Sequence, residues 1–112
     1  MGSITIIGTG WTAGQLTLEA AEALRSGTRV ILHTERCGCA QWLKEQGLTY
    51  DSLDELYEAC EDFDEHAQAA ADSVLKAAES EDLIYGVFDV RDRSVSLLIQ
   101  AARERTRVLA GP

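Results

Sequence analysis

The chain is predicted to be α/β: a three-layer domain in which a mainly parallel sheet of four or five strands is flanked by helices. Three observations carry this. An apolar run, Ile4 to Ile7, leads through a glycine turn into helical spacing and then a second β-branched run, the order of a right-handed βαβ unit. Further short apolar runs alternate with amphipathic stretches along the rest of the chain. One of them, Asp82-Leu83-Ile84-Tyr85-Gly86-Val87-Phe88, is nearly all apolar, as expected of a parallel strand covered on both faces.

The elements follow in order. After Ile4–Ile7, Gly8-Thr9-Gly10 lets the backbone turn sharply and leaves its amides open to an anion. Leu16, Ala20 and Leu24, four residues apart, mark a helix that stops at Gly27, and Thr28-Arg29-Val30-Ile31-Leu32 is the next strand. Cys37 to Gln46 reads as a short helix closed by Gly47, with Leu48-Thr49-Tyr50 as a short third strand. Asp51 or Ser52 serves as N-cap for a helix over Leu53 to Cys60, whose acidic first turn, Asp54 and Glu55, suits the helix dipole. Past a break at Glu61-Asp62, a single apolar stripe of Ala67, Ala70, Ala71, Val74, Leu75 and Ala78 defines an alanine-rich helix that packs on a sheet. Asp82–Phe88 is the central strand and Asp89 to Asp92 a polar turn. Val95, Leu98, Ile99 and Ala102 mark another helix, and Arg107-Val108-Leu109-Ala110 a last strand.

At 112 residues, with 46% hydrophobic and 26% charged side chains, the chain has the size and composition of one folded domain. Nineteen carboxylates against ten basic groups, a net charge of -9, would repel a phosphate backbone, so nucleic acid is not an expected partner. No apolar run approaches the roughly 20 residues of a membrane span, and no basic and apolar leader opens the chain, so no membrane partner and a cytoplasmic location are expected. Three cysteines, an odd number, point to reduced thiols rather than a disulfide framework.

Ligands of such sheets collect at the carboxyl ends of the strands, which singles out the loops Gly8 to Gly14, Thr34 to Cys39 and Phe88 to Asp92. Gly8-Thr9-Gly10-Trp11-Thr12-Ala13 fits the dinucleotide pattern G-x-G-x-x-G/A, with Glu35 where a ribose-binding acid would stand; the competing reading is a plain strand-to-helix turn, and the bulk of Trp11 favours that. His33, Cys37 and Cys39, with Cys60 and His66 farther on, are zinc-ligand types, but the spacing lacks paired knuckles and no metal site is assigned. The acidic run from Glu58 to Glu65 lacks the pattern of a calcium loop and is read as a solvated face. Arg91 and Arg93 stand at the ligand edge, where they meet either an anion or, the simpler reading, Asp89 and Asp92 on the surface.

The order of elements resembles the N-terminal domain of the tetrapyrrole (corrin/porphyrin) methylases, most closely the branch fused to a MazG-type nucleotide pyrophosphohydrolase. ITIIGTGWTAGQLTLEAAEAL resembles the family's opening, a GxGxGD-type loop before an LT-containing helix, with Gly8, Gly10, Leu16 and Thr17 matching. VILHTERCGCAQWLKEQG is similar to its second strand and RTxxHPxxxxL stretch through Thr34 and Leu43. YDSLDELYEACEDFDEHAQAAADSVLKAA resembles the fusion branch's FDDIYE...FEEVYxxIAxxLxxAA, the most specific match, through Leu53, Tyr57, Phe63 and the alanine-rich helix. DLIYGV resembles DVVYAVPGHP, and the closing Gly111-Pro112 falls where the family begins another cofactor loop.

The resemblance implies residues 1–112 as the N-terminal half of a two-domain enzyme that passes a methyl group from S-adenosylmethionine to a corrinoid or porphyrinoid, inactive by itself. It also implies Gly8, Gly10, Thr34 and Asp89 as cofactor contacts, a tetrapyrrole substrate, and a fused MazG-type domain as a partner in the parent protein. The departures lie in the loops: the first lacks the Gly-Asp ending, Cys37-Gly38 replaces His-Pro, and Phe88-Asp89-Val90-Arg91 replaces the PGHP turn. No catalytic base is assigned. The alternatives are a non-catalytic interaction or regulatory module, a folding and homodimerising scaffold with Trp11, Trp42 and Phe88 at a protein interface; and a dinucleotide-binding Rossmann domain.

Overall fold

The elements appear in the predicted order. A computed structural model of the protein describes residues 2–9, 17–59 and 62–109, apart from the side chains of Tyr57 and Phe63. Its elements are β1 (Ile4–Gly8), α1 (Leu18–Leu24), β2 (Arg29–Leu32), α2 (Gly38–Glu45), β3 (Asp51–Ser52), α3 (Asp54–Ala59), α4 (Phe63–Ala77), β4 (Leu83–Val87), α5 (Arg93–Ala102), a 3₁₀ turn (Arg103–Arg105) and β5 (Thr106–Leu109). Gly10, Trp11, Leu16, Cys60, Ala110, Gly111 and Pro112, all named above, lie outside the described residues.

Local chemistry accounts for most of the boundaries. The hydroxyl of Thr17 accepts the Ala20 N–H at 3.1 Å and starts α1, and the carboxylate of Asp62 accepts the Glu65 N–H at 2.7 Å and starts α4. Gly47 takes a positive φ of 71° at the end of α2; its N–H reaches the Lys44 carbonyl while the Leu48 N–H reaches Leu43, a Schellman ending. That ending moves the third strand. Leu48 is held against α2 by this turn and packs on the core, so strand pairing begins at Asp51 rather than at Leu48–Tyr50. Asp51 and Ser52 are therefore strand residues and not caps, and Arg29 of the neighbouring strand bonds Asp51 at 3.1 Å.

The sheet of the described residues has five strands in the order β3-β2-β4-β1-β5, and every pairing is parallel. Leu83 stands opposite both Ile4 and Arg29, which sets β4 in the middle. All five β4 residues are buried. Strand alternation then divides the core in two. Ile4, Ile6, Ile31, Leu83, Tyr85 and Val87 meet Ala71, Val74 and Ala78 of α4 and Val95 and Leu98 of α5. Ile7, Val30, Leu32, Ile84 and Leu109 meet Ala20 and Leu24 of α1 and Cys39, Ala40 and Leu43 of α2. The result is three layers, with each fully buried aliphatic side chain contributing roughly 1.5–3 kcal/mol of transfer free energy.

Trp42 is half-buried in the middle of α2, packed against the core, with the Arg25 guanidinium 5.2 Å above its ring. It lies within the helix rather than near a loop end. Among the described residues no helix is long and apolar enough to cross a membrane.

Candidate functional site

The strand order decides where a ligand can lie. The helices after β1 and β2 cover one face of the sheet, whereas the helix after β4, placed between them, covers the other. The chain leaving β4 thus parts from both neighbours at its carboxyl end, the kind of place where parallel sheets seat their ligands. The three strand ends are joined there: the Thr9 N–H and hydroxyl both donate to the Val87 carbonyl, at 2.6 and 3.1 Å, and the His33 N–H donates to Gly86 at 2.8 Å.

Gly86 shapes the α1/α2 side of this rim. A β-carbon at this position would stand 2.8 Å from the Leu32 Cδ2 and 3.2 Å from the Thr9 Cγ2, so only glycine lets both side chains close over the β4 backbone. Cys37, half-buried, stands beside them as the residue before α2, and its sulfur bonds the Thr34 carbonyl at 3.5 Å.

The predicted contacts divide as follows. Gly8 ends β1, buried and paired with Val87. Thr34 is buried, but its hydroxyl donates to Asp54 at 2.5 Å and accepts the Arg36 N–H at 3.2 Å, while the Glu35 N–H bonds the second Asp54 oxygen at 3.0 Å. Burial opposes the charge on Asp54, yet the bonds from Thr34, Glu35 and Ser52 outweigh it and hold the carboxyl below its ordinary value. Thr34 and Asp54 thus fix the second loop. Asp89 is engaged likewise: Arg91 gives it a backbone N–H at 2.8 Å and guanidinium bonds at 2.7–3.2 Å, which hold its pKa down at about 2. Glu35 is exposed and accepts from the Tyr50 hydroxyl at 3.2 Å. Arg91 meets Asp89, as the simpler reading has it, but Asp92 caps α5 instead.

On the α4/α5 side lies a cluster that sequence reasoning missed. His33 and His66, each 5% exposed, meet edge to face with ring centroids 4.9 Å apart, and Tyr85 lies 6.2 Å from His33. Asp92 accepts from the Ser94 N–H at 2.9 Å and the Ser94 hydroxyl at 2.5 Å. The Tyr85 hydroxyl lies 2.8 Å from the Ser94 oxygen, so with the serine proton given to the carboxylate, tyrosine is the donor. Burial holds both imidazoles below the ordinary histidine value; Asp92 pulls both the other way, and His66 depresses His33 further. Near neutral pH they are neutral bases beneath the rim. The signal for His66 was present: His66, Ala70, Val74 and Ala78 are four residues apart, on the buried stripe of α4.

The histidines and thiols listed together as zinc-ligand types separate in space. His33 faces the α4/α5 layer with Tyr85 and His66, whereas Cys39 belongs to the α1/α2 core. Among the described residues no three histidine, cysteine or acidic side chains gather as a metal cluster would. Compared with known proteins, the chain matches no family model and no curated sequence.

Proposed function

We propose that this domain binds S-adenosylmethionine on the carboxyl rim of its sheet, as one wall of a tetrapyrrole-methylase-like cleft. The observation that supports this reading is the divergence at β4: Gly8-Thr9 and the loop after Val87 lie side by side where the chain leaves in opposite directions, the usual seat of a small ligand in a parallel sheet. The residues fit such a donor in two respects. Gly8, without a side chain at the end of β1, leaves backbone for a ligand to approach. Asp89 stays ionised at neutral pH and favours a cationic sulfonium.

When bound, the donor supplies a methyl group on positive sulfur, open to attack by a carbon of a corrinoid or porphyrinoid. In this proposal Gly8 and Gly10 offer amides, Asp89 offers charge through its solvent side, and Thr34 acts by holding the second loop on Asp54. A donor on an open rim stays wet, and methyl transfer needs it enclosed, so this domain by itself binds without turnover.

Thermal-shift titration tests the reading. The midpoint is expected to rise with the concentration of S-adenosylmethionine and S-adenosylhomocysteine and to stay flat with NAD and FAD. A rise with NAD or FAD alone would replace it by a dinucleotide domain. The second reading, a non-catalytic interaction module, is favoured by the internal bonding of Thr34 and Asp89, and a flat midpoint with all four ligands would select it.

A further inference from the structure

The end of the sheet opposite the rim carries a concentration of positive charge. Three of the ten basic side chains, Arg103, Arg105 and Arg107, fall within five residues at the start of β5, in a chain whose net charge is -9. Thr5 stands opposite Arg107, and by alternation both project on the face that Ile7 and Leu109 share with α1 and α2. Every other residue of β1 is buried, so a partly exposed threonine beside an exposed arginine marks a stretch of sheet that those two helices leave open. There Ser3, Thr5, Glu104, Arg105, Thr106 and Arg107 line an open cavity of about 350 Å³, within the roughly 300–1,000 Å³ of small-molecule sites.

The donors of this cavity are in part fixed. One guanidinium N–H of Arg105 donates to the Gly2 carbonyl at 3.1 Å, which anchors the partly buried side chain and leaves its other N–H groups to offer. Among the described residues the ion pairs belong to Arg29 and Arg91, so Arg107 has no acidic partner there. The Thr106 hydroxyl is already given to the Ala102 carbonyl at 2.7 Å and forms wall only. Glu104 sets one negative charge against the two guanidinium groups, which leaves the lining positive. We propose that this cavity binds the phosphate group of a small phosphomonoester, held by Arg105 and Arg107 with the Thr5 hydroxyl as a further donor. A phosphate suits it better than a carboxylate, because its three terminal oxygens and charge of about -2 match two guanidinium groups and a hydroxyl on separate backbone positions. The cavity lies at the amino end of β1, away from Gly8 and Thr9, so it stands whether or not the rim takes a methyl donor.

The test titrates the protein with inorganic phosphate, glycerol phosphate and succinate at constant ionic strength near neutral pH, followed by the backbone amide resonances. Expected are saturable shifts centred on residues 3–5 and 104–107 with both phosphate and its glycerol ester, none with succinate, and no movement of Thr9 or Phe88 at the rim. Arg107→Gln, at an exposed position that tolerates the change, should weaken glycerol phosphate about tenfold, the worth of a charge-assisted bond. Arg105→Gln should weaken it as much, with circular dichroism to show that loss of the Gly2 bond leaves the fold intact. Arg103→Gln, outside the cavity, should leave the affinity unchanged. Shifts that do not saturate, that centre on the rim or that appear equally with succinate overturn the proposal. So does binding of inorganic phosphate without its ester, unchanged affinity in Arg107→Gln, or an equal loss in Arg103→Gln.

Discussion

On the α4/α5 face of the sheet the rim is closed by hydrogen-bonding and titratable groups, His33, His66, Tyr85, Ser94 and Asp92, whereas on the α1/α2 face it is closed by thiols, the Thr9 methyl and the bare backbone of Gly86. On the first face Tyr85, Ser94 and Asp92 spend their polar groups on one another, so their role is order, and removing one of them leaves a buried group without its bond. The second relies on close approach and soft donors, so it tolerates loss of polarity but not added volume. The same strand, β4, serves both, through Tyr85 on one side and Gly86 on the other.

Asp92→Ala strikes the polar face hardest. It removes both the cap of α5 and the acceptor of the Ser94 hydroxyl, on which the Tyr85 hydroxyl in turn relies, and is expected to cost about 3 kcal/mol in urea unfolding. A loss no larger than that of Cys37→Ala would erase the contrast between the faces. Acid should act next. Folded imidazoles held below the unfolded value stay neutral while the unfolded chain takes up protons, so stability is full above about pH 6.5 and falls as pH drops below it. His66→Leu, which continues the apolar stripe, should flatten that slope between about pH 7 and pH 5.

On the other face Gly86→Ala should cost about 1–2 kcal/mol, since Leu32 and Thr9 must both give way, and a second substitution, Leu32→Val, should recover part of it. Thr34→Val removes one bond to Asp54 and should cost about 1 kcal/mol, with the carboxyl of Asp54 titrating at higher pH by NMR. Arg91→Ala is expected to leave the unfolding midpoint unchanged, because that pair is exposed, while the Asp89 pKa rises from about 2 toward the ordinary carboxylate value.

Much of the frame was legible, for reasons visible at single residues. Ala67, Ala70, Ala71, Val74 and Ala78 repeat with the helical period because they face one sheet, and all five are buried. Gly27 and Gly47 marked helix ends because positive φ costs glycine little, and both adopt it. Tyr85 and Val87 read as doubly covered strand and are. The third strand was misplaced by a few residues because Leu48, apolar and after a glycine, serves a helix ending that periodicity does not encode. The site was less legible. Thr34 was singled out, but its partner Asp54, twenty residues on, passed as an ordinary first-turn acid. His33 and His66 were grouped with the cysteines by residue type, and only the alternation of the sheet sends them to opposite faces.

The amino-acid order alone determined the class of the fold, the sequence of its elements and the parallel sense of its sheet. Those follow from short-range periods and from connections long enough to cross over. The tertiary structure decided that β4 lies between β1 and β2, and so decided which loops meet at its carboxyl end and which side chains face each other there. Neighbourhood in a sheet is settled by burying both its faces at once, a condition on the whole chain that no local window contains.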